Sequence, residues 1–237
     1  MPRIPLIEDL TREPIPNGLN LLVEFDSKSE WYTTSLTIVA GWLKAGGTVL
    51  YNTAAQPPDT VRSLLGKLGL NAEDFEKERK LSIFDFYTQT LGQKSKEKRA
   101  PSLKVSDLSI DFSQQYFRGG TDPEMLRMWD NASTMARFND ERSWIEFELT
   151  RRFPLATIQK STLILPIIKG VHSDWAYKQL ETAADGIIEF ILDETGDETR
   201  NLIRISSLRQ THFDSKWHEV KFNQSHEAKI DQQNTRK

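Results

Sequence analysis

The segment that joins the first predicted strand to the first predicted helix has the length of a phosphate-binding loop but lacks its chemistry. A P-loop, G-x-x-x-x-G-K-[ST], needs glycines whose backbone N–H groups surround the phosphates. It also needs a lysine for the β- and γ-phosphates and a hydroxyl for Mg²⁺. Residues 24–31 contain no glycine, and they carry Glu24, Asp26 and Glu30, whose negative charges repel a polyphosphate.

An ungapped comparison with this pattern locates the replaced residues. The lysine position holds Glu30 and the Ser/Thr position holds Trp31. Lys28 lies two residues away, but the chain around it has no glycine to bring the backbone close to a phosphate. An aromatic residue at a lost Mg²⁺-ligand position has two interpretations: Trp31 fills the vacated pocket, or it is exposed and contacts a neighbouring subunit.

Short apolar runs alternate with amphipathic stretches along the chain, which predicts the elements that position this segment. Strands are predicted at 19–23, 47–51, 81–86, 125–129, 162–168, 186–192, 202–205 and 217–222. Helices are predicted at 32–43, 59–68, 141–152 and 173–184. This alternation predicts an α/β fold: a mostly parallel twisted sheet with helices on both faces and an antiparallel C-terminal edge.

Three further predictions concern the organisation of the chain. Residues 1–223 are expected to form a single domain, because no internal repeat and no second core are evident. The polar residues 224–237 predict a disordered tail. Pro166 lies inside a predicted strand without an N–H to donate, which indicates an edge position, a bulge or an early end of that strand.

The polar segment 93–104 is expected to be an exposed, mobile loop. It contains Lys94, Lys96, Lys98 and Arg99, which together form a basic cluster that would suit an acidic partner or a nucleic acid. Glu97 interrupts the cluster and no aromatic residues alternate with the charges, so a solvated loop is the favoured interpretation.

Composition narrows the classes of function. The net charge is -3 and the pI is about 5.9, which argues against nucleic-acid binding because such proteins favour a strongly basic face. The 237 residues include no cysteine, so disulfides and thiolate metal sites are excluded. No apolar run has transmembrane length and the N-terminus lacks the pattern of a signal peptide. We therefore expect a cytoplasmic protein without membrane contact.

Several short segments, taken in chain order, resemble one family of ATPases. Ile15-Pro16-Asn17-Gly18 is similar to its Ile-Pro-x-Gly segment, Asp130 to Ser133 to the Asp-Ser-x-Ser of its Walker B strand, and Ala184 to Ile188 to its Ala-Asp-Gly-Val-Ile. Further similar segments are 7–10, 49–53, 208–211 and 217–218. Residues 4–223 thereby resemble the KaiC-like branch of the RecA-type P-loop ATPases, and the archaeal members with degenerate motifs most of all.

The resemblance implies which positions would bind a nucleotide. It assigns Asp130 to the Walker B carboxylate, although an acidic residue at a strand end has no need of a metal to explain it. The family's pair of glutamates after the second strand falls on Ala55 and Gln56, neither of which is a base at neutral pH. The family's Lys-x-Arg sensor falls on Ser207 to Arg209, and only Arg209 is retained, as a surface arginine would be.

No other constellation predicts a catalytic or metal site. The four histidines are scattered, without the spacing of a metal motif. His172 follows a strand end, where a catalytic or metal role is conceivable, but a solvated loop histidine is the favoured interpretation. We therefore expect no catalytic residue, no metal and no cofactor.

The favoured function is that of a non-catalytic, KaiC-like pseudo-ATPase, a regulatory or scaffold protein that acts through protein–protein contacts. The resemblance implies that its partners are copies of itself or an active paralogue, as in the oligomers of the family. Two alternatives stay open. One is an atypical ATP and Mg²⁺ binder or weak ATPase that uses Lys28, Asp130 and Arg209; the other is a RecA-like accessory protein on DNA. Signal transduction, clock and motility roles occur among relatives, and the residues select none of them.

Overall fold

The structure, a computed structural model, describes residues 2–97, 124–195 and 198–236. It contains one nine-stranded sheet with the strand order β3-β2-β4-β5-β1-β6-β7-β8-β9. β1 to β6 are parallel to one another, and β7, β8 and β9 are antiparallel additions at one side. The predicted fold class is confirmed. The strands are β1 Asn20–Phe25, β2 Thr48–Thr53, β3 Leu81–Asp85, β4 Met125–Trp129, β5 Thr162–Ile168, β6 Gly186–Asp193, β7 Arg200–Leu208, β8 Trp217–Phe222 and β9 Ala228–Arg236.

Helices cover both faces of the sheet because the central strand β1 is apolar on both sides. Leu21 and Val23 belong to one core together with residues of α1 and α2, whereas Leu22 belongs to a second core beneath α5 and α7. The helices are α1 Trp31–Lys44, α2 Pro58–Lys67, α3 Ala72–Lys77, α4 Tyr87–Thr90, α5 Glu141–Phe147, α6 Phe153–Ile158 and α7 Asp174–Ala183. None of the helices in the described ranges is long and apolar enough to span a membrane.

The helix predicted at 141–152 is longer and less regular than its sequence indicates. Asp140 caps its start, since its Oδ2 accepts the N–H of Ser143 at 3.0 Å. After α5 the backbone forms a π-helical segment, Glu148–Arg152, and then continues as α6. Glu148 and Arg152 are buried as an ion pair at 2.7 Å within this segment.

Pro166 does not lie at an edge, because β5 is an internal strand between β4 and β1. The N–H groups of Leu163 and Lys169 donate to the carbonyls of Leu19 and Phe25 on the β1 side, so the alternate positions 164, 166 and 168 face β4. The β4–β5 pairing ends at Ile164, two residues before the proline. Of the three expected explanations, an early end is therefore correct, but only for one of the strand's two ladders.

The predicted disordered tail is wrong for most of its length. Residues 228–236 form β9, which pairs antiparallel with β8. The N–H of Ala228 donates to Oγ1 of Thr37 in α1 at 3.0 Å, and Ala228 itself is buried. Ala228 and Ile230 pack against the core and alternate with the charged residues Lys229 and Asp231, a pattern too short to predict a strand from the sequence.

The start of the basic loop is held in place, contrary to the expectation of a mobile segment. The guanidinium of Arg62 contacts both Glu76 at 2.8 Å and Glu97 at 2.7 Å. Ser95 also donates to Asp85 at 2.5 Å. Glu97 thus anchors the segment as well as interrupting its positive charge; residues 98–104 of the predicted loop lie outside the described ranges.

Candidate functional site

The parallel strands β1 to β6 all end at one edge of the sheet, which we call the carboxyl edge. In sheets of this kind ligands bind at that edge, because the strand ends and the helix N-termini converge there. The 24–31 segment and Asp130 both lie at the carboxyl edge, at the ends of β1 and β4.

Asp130 is completely buried, and its carboxylate is used by the backbone of the neighbouring strand. Oδ1 accepts the N–H of Ala54 at 2.8 Å, and Oδ2 accepts the N–H groups of Ala55 at 2.9 Å and Gln56 at 3.2 Å. The hydroxyl of Thr53 shares its hydrogen between the carbonyl of Gln56 and Oδ2, which is 3.1 Å away. Burial raises the pKa of Asp130 to about 6, and these donors oppose that rise because they favour the ionised carboxylate.

The positions that the resemblance assigns to catalytic glutamates therefore have a structural use. Ala55 and Gln56 present their N–H groups, rather than a carboxylate, to the end of β4. The turn after β2 and the end of β4 form a closed unit in which the Asp130 carboxylate already has four donors. Among the described residues no three His, Cys, Asp or Glu side chains are grouped so as to hold a metal ion.

Trp31 fills the space at the beginning of α1. Its side chain is 0% exposed, and its indole N–H donates to the backbone carbonyl of Asp130 at 3.1 Å. The indole stacks on Phe25 with centroids 5.8 Å apart and meets Phe190 edge-on at the same separation. Of the two interpretations of Trp31, the structure places the side chain inside the fold and not on a surface.

The remaining predicted positions do not converge on Asp130. Lys28 is exposed and pairs with Glu194 at 3.4 Å, and the Glu30 N–H donates to Asn201 at 2.9 Å. Arg209 lies at the opposite, amino edge, where it pairs with Asp185 at 3.7 Å, and exposed Ser207 lies beside β6 at that edge. Within this chain the structure does not bring Lys28, Asp130 and Arg209 together.

A hydrogen-bonded cluster at the carboxyl edge was not predicted from the sequence. His172 Nδ1 lies 3.0 Å from Oε1 of Glu141, and its Nε2 lies 2.7 Å from Oγ of Ser133. The His172 side chain is 3% exposed, so the expectation of a solvated loop histidine is wrong. Sequence spacing gave no indication of the cluster, because its members lie on three separate elements.

Glu24 also has an environment that its sequence position did not indicate. It is the fifth residue of β1, not part of a loop, and it is only 8% exposed. Burial, together with the adjacent Glu181 carboxyl, raises the pKa of Glu24 to about 7, because two carboxyl groups at hydrogen-bond range oppose each other's ionisation. Lys169 lowers this pKa and Glu189 raises it, both by weaker effects.

Replacing Trp31 by alanine should destabilise the fold strongly, because the side chain is fully buried between aromatic rings. The expected loss is about 3–5 kcal/mol in the free energy of unfolding, measured by urea denaturation. Added indole should bind the resulting apolar cavity and restore part of the loss. Ile158→Ala is the matched control, since Ile158 is 71% exposed and should change stability by less than about 0.5 kcal/mol. Similar losses for the two variants would contradict the assignment of Trp31 as a filling residue.

Glu24 should make the fold less stable as the pH rises. Its pKa is about 7 in the folded protein, against an ordinary value of 4.5 in the unfolded chain, so between these values only the unfolded chain releases the proton. The stabilisation of the folded state by the protonated Glu24 carboxyl is complete below pH 4.5 and is lost as the pH rises through 7. Glu24→Gln should therefore be more stable than the native protein at pH 8 and about equally stable at about pH 3.5, below the pKa of the unfolded chain, in urea denaturation at each pH. Glu194→Gln, at an exposed carboxylate, serves as the control; an equal effect of Glu24→Gln at both pH values would refute the assignment.

No protein-family model matches the chain, and no curated protein matches it in sequence. Solved structures do match. A KaiC-like protein of the archaeon Pyrococcus horikoshii has a TM-score of 0.77 at 20% identity, covering 97% of both chains. The flagellar accessory protein FlaH of Methanocaldococcus jannaschii has a TM-score of 0.74 at 13% identity, covering 98% of this chain and 99% of its own. An uncharacterized P. horikoshii protein, in complex with an unknown peptide, has a TM-score of 0.75 at 14% identity, covering 98% of both chains. The chain has the RecA-type fold of KaiC-like proteins.

Proposed function

We propose that this protein is a pseudo-ATPase, a regulatory or scaffold protein of the RecA-type fold that does not hydrolyse nucleotide and acts through protein–protein contacts. One observation carries the proposal: the indole of Trp31 fills the beginning of α1, where a P-loop protein of this fold would place the hydroxyl for Mg²⁺. A buried indole offers a polyphosphate neither a cation nor room for a metal.

The surroundings of Trp31 support the same conclusion. Phosphoryl transfer depends on positioning and on neutralising charge, which a phosphate cradle, a metal and a cation provide. The 24–31 segment has no glycine for a cradle, and the Asp130 carboxylate is occupied by the donors of residues 53–56. Lys28 is turned towards Glu194. The cradle, the metal-binding carboxylate and the cation are lost independently, so restoring one of them would leave the other two missing.

A surface suited to a protein partner lies at the same edge. Phe138, Val171 and Trp175 are 38%, 57% and 39% exposed, and the contact of Glu141 with Ser173 brings their chain segments together. We call these three residues the carboxyl-edge patch. Exposed apolar side chains close to one another favour a protein contact over solvent. The proposed partner is a second copy of this chain or an active KaiC-like paralogue.

Titration of ATP with Mg²⁺ into the purified protein should give no saturable heat in calorimetry. The buried Trp31 and the occupied Asp130 leave no cradle for the phosphates, so only dilution heat is expected. Micromolar binding that is lost in Lys28→Ala or Asp130→Asn would contradict the proposal and favour the atypical nucleotide binder. Glu194→Gln, which frees Lys28 from its partner without removing it, is the matched control.

The single chain has a mass of 27.3 kDa, and light scattering should report a larger mass for the native protein if its partner is a second copy. If the partner is an active KaiC-like paralogue, the larger mass should appear in a mixture of the two proteins. Val171→Asp and Trp175→Glu should reduce that mass towards the single chain, because a charge in an apolar interface stays unpaired. Ile158→Glu is the control, since Ile158 is exposed near the amino edge, where α6 contacts the start of β1. A mass unaffected by the patch variants would refute the patch as the interface.

A further inference from the structure

Ser133, His172 and Glu141 form a continuous hydrogen-bonded chain at the carboxyl edge. Ser133 lies in the short helical turn Ala132–Arg137 after β4, His172 lies between β5 and α7, and Glu141 is the first residue of α5. The Ser133 Oγ is 2.7 Å from His172 Nε2, and His172 Nδ1 is 3.0 Å from Glu141 Oε1. Three elements thus meet through one imidazole.

The partners fix the position of each proton in this chain. The Glu141 carboxylate only accepts, so His172 Nδ1 carries the hydrogen and Nε2 is left with a lone pair. The backbone N–H of Ile168 donates to Ser133 Oγ at 2.9 Å, so that contact uses an oxygen lone pair. The hydroxyl proton of Ser133 is therefore free to point at Nε2. This is the arrangement of a nucleophile, a base and an orienting carboxylate.

We propose that Ser133 is an activated nucleophile for acyl transfer from small esters or thioesters, with His172 as its base and Glu141 as the positioning residue. Ser133 lies three residues after Asp130, but the proposal does not depend on whether nucleotide binds. Ser133 is 7% exposed, which restricts the electrophile to a small one.

The electrostatic environment keeps each group in the state that this chemistry needs. Burial lowers the pKa of His172 below its ordinary value, so the imidazole is neutral and able to accept a proton at pH 7. The hydroxyl and N–H of Ser173 donate to Glu141 and lower the pKa of that carboxyl, so it stays ionised. The indole of Trp144, with its centroid 5.1 Å from the imidazole, and the edge of Tyr177 at 5.9 Å hold the ring in position.

The reaction balances without any further reagent except water. Ser133 Oγ forms a bond to the acyl carbon while its proton passes to His172 Nε2. The bond from that carbon to the alcohol or thiol breaks, and the leaving group takes the proton from Nε2. Water, deprotonated by the same nitrogen, then hydrolyses the acyl-serine and restores the hydroxyl.

Covalent labelling with a small dialkyl fluorophosphate tests the proposal, since a merely structural serine would not react. Oγ attacks phosphorus, fluoride leaves and the proton passes to His172. Intact-mass analysis should show one adduct per chain, and peptide fragmentation should place it on Ser133. His172→Gln, which keeps a hydrogen-bonding side chain, should lower the labelling rate about 100-fold or more.

Ser207 provides an internal reference, because it is an exposed serine at the opposite edge. An adduct on Ser133 no more frequent than on Ser207, or one placed on Ser173, would overturn the proposal. So would labelling of folded His172→Gln at the native rate. If His172→Gln does not fold, as judged by circular dichroism, Glu141→Gln replaces it and should still lower the rate. If the native protein shows no preferential adduct on Ser133, that result alone refutes the proposal.

Discussion

The carboxylate of Asp130 is the interaction on which the carboxyl edge depends. It is completely buried, and it accepts three consecutive N–H groups from the turn after β2 together with a hydroxyl. The carbonyl of the same residue accepts the indole N–H of Trp31. One residue therefore joins the ends of β2 and β4 to the beginning of α1. Removing its two carboxylate oxygens would leave a buried turn with unpaired N–H groups, which is more costly than losing a surface contact.

At the carboxyl edge, protein atoms make contacts that phosphates make in a P-loop protein. In a P-loop protein the phosphates satisfy the backbone N–H groups at the start of the helix. Here that part of the protein is closed by aromatic packing around Trp31, and the strand-end carboxylate is satisfied by backbone donors. Exposed groups at the edge, such as the carboxyl-edge patch, are then available for other contacts.

The sequence predicted the fold better than it predicted the environments at the site. Apolar periodicity located β1 and α1 to within about two residues, because a buried strand and a long helix have strong patterns. It missed β9, whose sequence is mostly polar, and the continuation through Arg152 into α6. The sequence pattern places Glu24 in a loop, because it carries no signal for the contact of Glu24 with Glu181 of α7, which is far away in the sequence. The same limit hid His172, whose partners Ser133 and Glu141 are 39 and 31 residues distant in sequence.

Pro166 shows how one absent atom organises this edge. Its nitrogen faces β4, so β5 could offer no donor to β4 at that position even if the two strands stayed paired. Beyond Ile164 they are not paired, and the next N–H on that side, from Ile168, is taken by the hydroxyl of Ser133. A side chain thus enters the hydrogen-bond row of a parallel sheet in place of a strand. Because residue 166 has no N–H, the separation of β4 from β5 leaves no strand donor unpaired at that position, and the next donor, that of Ile168, is satisfied by Ser133.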